Sequence, residues 1–155
     1  MRTRLQIAVE DPRAPEVTRL LEEHLAFARS CTAAENAHAL DLEALIVPAV
    51  SCYAARMDGE LMAVGALQAL GGEHLEVKSM HTARGARRQG IGLKLLEHLI
   101  DQARARGCTR LSLETGTMEA LAPARAMYHG AGFSACEPFG GYPSSPNTVF
   151  MSLAL

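Results

Sequence analysis

No stretch of this sequence approaches the ~20 consecutive apolar residues that a membrane-spanning helix needs. The start, Met1 to Val9, also lacks the apolar core and small-residue cleavage site of a secretory signal. An excess of either charge is missing too. The formal net charge is −2, which gives no reason to expect nucleic acid or an anionic membrane as partner. Cysteine is sparse and unpaired. The 4 cysteines, Cys31, Cys52, Cys108 and Cys136, contain no CxxC pair, which argues against zinc ligation and against a disulfide framework. They read as the small thiols of a cytoplasmic protein, and no metal site is expected. Internal repeats, low-complexity tracts and linkers are absent as well. What remains is a chain of 155 residues, 48% apolar with both charge signs, expected to form a single domain over residues 1–155 with a substantial core.

Periodicity gives the order of elements. Leu5 to Val9 reads as a strand. Pro15 opens a helix in which Val17, Leu20, Leu21, His24, Leu25 and Ala28 recur at helical spacing. Thr32 to Leu45 reads as a second, shorter helical stretch ended by Pro48. Ser51–Arg56 and Leu61–Leu70 form a hairpin around Asp58-Gly59, and Gly71-Gly72 turns the chain into a strand from His74 to His81 or Thr82. Ile91, Leu95, Leu96, Leu99, Ile100 and Ala103 are the buried stripe of a helix closed by Gly107. A strand over Thr109–Glu114 follows, then a helix marked by Pro123, Ala124, Met127, Tyr128 and Ala131 and stopped by Gly132. Phe133 starts a short strand, a Gly/Pro-rich loop runs from Pro138 to Pro146, and Thr148–Leu153 is the last strand. The fold class is α/β (α+β), a mixed sheet with helices on both faces.

Between a strand and a helix stands Arg87-Arg88-Gln89-Gly90-Ile91-Gly92. Closely spaced glycines let backbone approach a ligand, and the helix behind them offers unpaired N–H groups and a positive dipole end, which suits phosphate. A nucleotide P-loop needs G-x-x-x-x-G-K-[ST], but Gly90 and Gly92 are too close and no Lys-Ser/Thr follows. A dinucleotide site needs a third glycine where this chain has Leu95, and the strand here follows an antiparallel meander. The pattern that fits is [Q/R]-x-x-G-x-[G/A], met by Arg87, Gly90 and Gly92.

At these residues the sequence resembles the GNAT acetyltransferase superfamily. Tyr128-x-x-x-Gly132-Phe133 stands where that family has Y-x-x-x-G-F, and the element order agrees over almost the whole chain. Lys78-Ser79-Met80, Leu111 to Gly116, Pro138-Phe139, Pro146-Asn147 and Val149-Phe150-Met151 look like a group of small bacterial acetyltransferases. The resemblance implies six or seven strands splayed between the fourth and fifth. It also implies N-acetyl transfer from acetyl-CoA to a primary amine of a small molecule or peptide by direct attack. Backbone N–H groups of Arg88, Gln89, Gly90, Ile91, Gly92 and Leu93 would then hold the pyrophosphate, with Arg87 and Arg88 as phosphate contacts, and backbone of Met80, His81 and Thr82 would pair with the pantetheine arm.

The same resemblance assigns roles. Glu76 is the expected base that takes the proton from the amine, with Glu114 its rival. Strict alternation puts Glu76, Lys78 and Met80 on one face and Val77, Ser79 and His81 on the other. The competing view of Glu76 is a solvent-facing charge near a strand start, paired with Lys78. A backbone N–H near Met80 or His81 would stabilise the thioester oxyanion. Tyr128 would bind the cofactor and protonate the leaving sulfur; a core tyrosine is the plainer alternative. His81 is also a candidate proton shuttle. His38, with Asp41, and Tyr142 are candidates for the acceptor pocket. One departure stands out: where family members often carry asparagine, seven residues before the tyrosine, this chain has Leu121. The rival functional class is a non-catalytic acyl-CoA-binding sensor of the same fold. The last strand and the Pro-rich loop offer a surface for a homodimer, a state the sequence leaves undecided.

Overall fold

The computed structural model describes residues 4–31, 42–87 and 89–155, apart from the side chain of Cys31. An antiparallel meander comes first: β1 (Leu5–Val9), β2 (Val50–Met57), β3 (Glu60–Gly71) and β4 (His74–Thr82) pair in succession. The β2–β3 turn is Asp58-Gly59, at φ 52° and 84°, the two left-handed residues that a two-residue hairpin requires. Helix α1 (Pro15–Cys31) lies between β1 and β2 in sequence, with Glu16 in its first turn and Arg29 in its last, both favourable to the helix dipole.

Helix α2 (Ile91–Ala105) carries the chain from β4 to β5 (Arg110–Gly116), which runs parallel to β4. Helix α3 (Ala122–Gly130) leads to the two-residue β6 (Ser134–Ala135), and β7 (Thr148–Ala154) returns antiparallel between β5 and β6. The sheet order is therefore β1-β2-β3-β4-β5-β7-β6, seven strands, as the resemblance implied.

Alternation along β3 separates two cores. Val64 and Ala66 face α1, where Val17, Leu20 and Leu21 cover them. Ala63 and Leu67 face α2, whose Leu95, Leu96 and Leu99 are completely buried against Leu75, Val77, Leu111 and Leu113. Each of those leucines contributes roughly 2 kcal/mol by leaving water, which is why the 3.6-residue stripe was so readable.

The β4–β5 ladder runs only from His74↔Arg110 to Val77↔Leu113. Beyond it the strands part, leaving one edge of β4 unpaired from Lys78 onward on the β5 side. This is the expected splay.

The structure adjusts several boundaries. The hairpin strands and β5 each reach slightly beyond the sequence-based limits, and the short strand starts at Ser134 rather than Phe133. Of the second helical stretch, residues 32–41 lie outside the described residues; Glu43–Leu45 is a 3-10 turn.

Strict alternation along β4 also fails. Ala66 opposes Lys78 and Val64 opposes His81, so Gly65 alone faces two residues, Ser79 and Met80. Ser79 sits at φ 56°, the left-handed conformation of a bulge. The face therefore flips. Met80 joins Val77 on the α2 side, where its sulfur lies 2.7 Å from the position a Cβ on Gly65 would take. His81 joins Glu76 and Lys78 on the α1 side, opposite to the sequence expectation.

Candidate active site

The parted strands, the start of α2 and the start of α3 enclose one cavity of about 700 Å³. The end of it at the start of α2 is built from backbone. Gly90 caps α2 at φ 73°, and an added Cβ there would meet nothing within 4 Å, so the space over the cradle is open. The Lys94 N–H reaches back to the Gly90 carbonyl at 3.1 Å. The N–H groups of Ile91, Gly92 and Leu93 thus belong to the unsatisfied first turn of α2. Gly92 is needed for a different reason: its Cβ would come within 3.2 Å of the Thr82 hydroxyl and 3.5 Å of the Met127 sulfur. One glycine supplies the backbone angle and the other the close packing.

Arg87, Gly90, Ile91, Gly92 and Leu93 all line this cavity. The Arg87 guanidinium donates to the Thr82 carbonyl at 3.4 Å, which ties the loop to the end of β4. Gln89 is exposed and turned away, donating to the Gly85 carbonyl at 3.2 Å. Arg88 and His38 lie outside the described residues, as does Asp41. Met80, His81 and Thr82 form the β4 wall, with Glu114 across the gap at the end of β5.

Glu76 is not solvent-facing. It is 3% exposed, and it forms a 3.0 Å ion pair with Lys78, itself 8% exposed. The Tyr142 hydroxyl donates to the two Glu76 oxygens, at 3.2 and 3.3 Å, and accepts a hydrogen bond from the Lys78 ammonium. Burial pushes the Glu76 carboxyl above its ordinary range, while the Lys78 charge and these donors pull it back. Tyr142 is held far above the ordinary phenol range by burial and by the charges of Glu76 and Glu114, so it stays protonated and able to donate. Removing one partner from a buried ion pair typically costs about 3–5 kcal/mol, so Glu76 and Lys78 stabilise their surroundings only together.

Tyr128 lines the cavity from α3, 8% exposed and edge-on to Phe133 at 6.1 Å between ring centroids. Burial pushes its phenol up to about 12, so it too keeps its proton at neutral pH. On the α1 side, His24 and His81 meet with their Nδ1 atoms 3.4 Å apart. Burial pushes His24 down to about 4; burial and the Arg87 charge lower His81. Both rings are therefore neutral near pH 7.

The turn before α3 shows what replaces the missing asparagine. Leu121 packs onto Gly116, its Cδ1 2.7 Å from where a Cβ would stand. Arg125 donates to the Gly116 and Met118 carbonyls at 2.7 and 2.8 Å and so fixes the turn. Sequence reasoning passed over Arg125 and gave His24 only a place on a helical stripe. Nothing local marks Arg125, whereas the placement of His24 on the buried stripe of α1 was available as a signal.

The match to known proteins agrees with this geometry. Residues 17–133 match the profile of the acetyltransferase (GNAT) family. The chain belongs to that family. It is 40% identical, over 97% of its own length and all of the relative's, to an uncharacterized N-acetyltransferase of Bacillus subtilis. It is 37% identical, over 96% of its length and 97% of the relative's, to an IAA acetyltransferase of Azospirillum brasilense. Among solved structures, an acyl-CoA N-acyltransferase of Klebsiella pneumoniae superposes with a TM-score of 0.83 at 30% identity, covering 97% of each chain. The protein is thus an acyltransferase, and its co-substrate is acetyl-CoA. The open cradle over Gly90, the unpaired edge of β4 and the cavity between them fit such a molecule. The binding-only sensor is not favoured. Among the described residues no helix is long and apolar enough to cross a membrane, and no cluster of three His, Cys, Asp or Glu is placed to hold a metal.

Proposed function

We propose that this chain is an N-acetyltransferase that moves the acetyl group of acetyl-CoA onto a primary amine of a small molecule or peptide by direct attack. The observation that carries this reading is the placement of a buried carboxylate and a buried, protonated tyrosine on the walls of the cavity that the α2 N-terminus closes. Backbone N–H groups from Ile91 to Leu93 would hold the pyrophosphate, with Arg87 and Gly90 shaping the approach. The free edge of β4 at Met80, His81 and Thr82 would accept the pantetheine amides.

An ammonium has no lone pair, so the acceptor must first lose a proton. Glu76 is the base in this reading, and burial raises its proton affinity toward that task. Glu114, at the end of β5, is the second candidate. The amine nitrogen then bonds to the acetyl carbon to give a tetrahedral oxyanion; its collapse breaks the carbon–sulfur bond, and the second proton shed by the nitrogen replaces the one that Tyr128 gives to sulfur. A backbone N–H near Met80 or His81, beside the bulge at Ser79, would stabilise the oxyanion. Tyr128 gives its proton to the departing thiolate. Tyr142 and the His24–His81 pair flank the acceptor side.

The test is release of free CoA thiol over a panel of amino acids, polyamines, aminoglycosides and peptide N-termini, with IAA, the molecule in one relative's name, included. Turnover with amines supports the reading. Turnover only with acceptors that lack an amine would replace it.

A further inference from the structure

We propose that Tyr142 is a positioning residue: its hydroxyl, bridging the Lys78 ammonium and the Glu76 carboxylate, fixes that carboxylate for taking the acceptor's proton. The inference rests on Glu76 as the base, and it gives the loop between β6 and β7 a part in the chemistry rather than only in covering the acceptor.

Three observations carry it. First, the hydroxyl uses both of its capacities. Its proton is shared between the two Glu76 oxygens at 3.2 and 3.3 Å, and its lone pair takes a hydrogen from Lys78. With the direct Lys78–Glu76 contact at 3.0 Å this closes a three-membered ring of contacts, which sets the carboxylate plane as well as its position.

Second, the tyrosine ring is itself fixed. It stacks on Phe150 at 6.2 Å and 30°, and meets Phe139 edge-on at 5.8 Å and 83°. Phe139 in turn packs against Phe150 at 5.6 Å and His74 at 5.8 Å. The Lys78 ammonium lies 5.1 Å from the Tyr142 ring centre. A loop residue is thereby held as firmly as one on a strand.

Third, the network lies at the cavity wall: Glu76 and Lys78 both line it.

Among the described residues, the charged and titratable groups that act on Glu76 come from three segments. Lys78 comes from β4, Tyr142 from the loop and Glu114 from β5. His74, earlier on β4, is engaged with the Ser112 hydroxyl at 2.6 Å. Losing the Tyr142 hydroxyl removes a donor to the ionised carboxylate, so Glu76 would hold its proton to higher pH. Glu114 repels in the same direction and cannot compensate.

Tyr142→Phe keeps the ring packing and deletes only the hydroxyl. The acid limb of kcat/KM should move upward by about one pH unit, so that activity on that limb falls by up to about tenfold and recovers as pH rises past it. Acetyl-CoA affinity by calorimetry should stay unchanged. In parallel, the side-chain carboxyl resonance of Glu76, assigned with Glu76→Gln, is titrated in the free protein. An upward move there together with the kinetic shift supports the proposal. A resonance that does not move overturns it, as does a drop in kcat without displacement of the limb, which marks a structural role only. Failure of Glu76 as the base reads differently: Glu76→Gln then keeps its turnover, while the resonance still reports whether Tyr142 holds the carboxylate.

Discussion

The two ends of the cavity are made in opposite ways. At the proposed donor end the groups offered to a ligand are backbone, and side chains matter chiefly by being absent, as at Gly90 and Gly92. At the proposed acceptor end they are side chains: Glu76 and Lys78 from β4 and Glu114 from β5 line the cavity, and Tyr142 joins Glu76 and Lys78 from a loop 66 positions beyond Glu76. A backbone cradle suits a co-substrate that never changes. A side-chain network can be rewritten residue by residue for a new acceptor while the cradle stays.

The contrast predicts that the donor end breaks all at once. Gly90→Glu places a carboxylate in the open space over the α2 N-terminus and forces φ 73° on a residue with a Cβ. Acetyl-CoA binding by calorimetry should fall by at least ~100-fold, from charge repulsion and lost space together. Retained affinity would mean the pyrophosphate sits elsewhere.

The acceptor end should fail in chemistry while binding of the co-substrate survives. For Glu76→Gln, kcat/KM near neutral pH should drop about 100-fold, within the usual range for a general base. The loss should shrink toward alkaline pH, where more of the amine is already neutral. A ratio that stays flat across pH would move the role to Glu114 or to no single base.

Tyr128→Phe should act between the ends. Turnover should fall about tenfold with acetyl-CoA affinity intact, because only the proton donor to sulfur is lost. The wild-type phenol, pushed up to about 12, should cause no alkaline loss of activity below about pH 10. Unchanged turnover in the variant would reduce Tyr128 to a core residue.

The smallest effect concerns stability. His24 titrates near 4 in the folded chain, against about 6.5 unfolded, so the unfolded state binds more protons between those values. Its contribution to stability is complete above pH 6.5 and is lost as pH falls toward 4. His24→Leu should therefore show a shallower loss of Tm on acidification over that window. An identical slope would show that the carboxylates alone set it.

Much of the fold was legible because its signals are local. The α2 stripe from Ile91 to Ala103, the Asp58-Gly59 turn and the glycine cradle each lie within one window of sequence. Of the candidate site, the glycine loop before α2 was readable for the same reason, although Gly92 proved to be a packing glycine rather than a second flexible joint. The acceptor end was only half readable. Glu76 and Lys78 were placed on one face correctly, since no bulge intervenes between them. Met80 and His81 were assigned to the wrong faces because the bulge at Ser79 arises from the register with Gly65, and nothing at Ser79 itself announces a positive φ.

By itself, then, the sequence determined most of the described elements, their order and the glycine loop that leads into α2, all through short-range backbone preference and apolar period. The family's fold and co-substrate followed from that pattern. Only the tertiary structure decided that Glu76 is buried rather than solvated, that Tyr142 bridges it to Lys78, and which way β4 faces after its bulge. Those outcomes depend on strand register and on contacts between segments far apart in the chain, where the cost of removing a charge from water is met by partners that no local window contains.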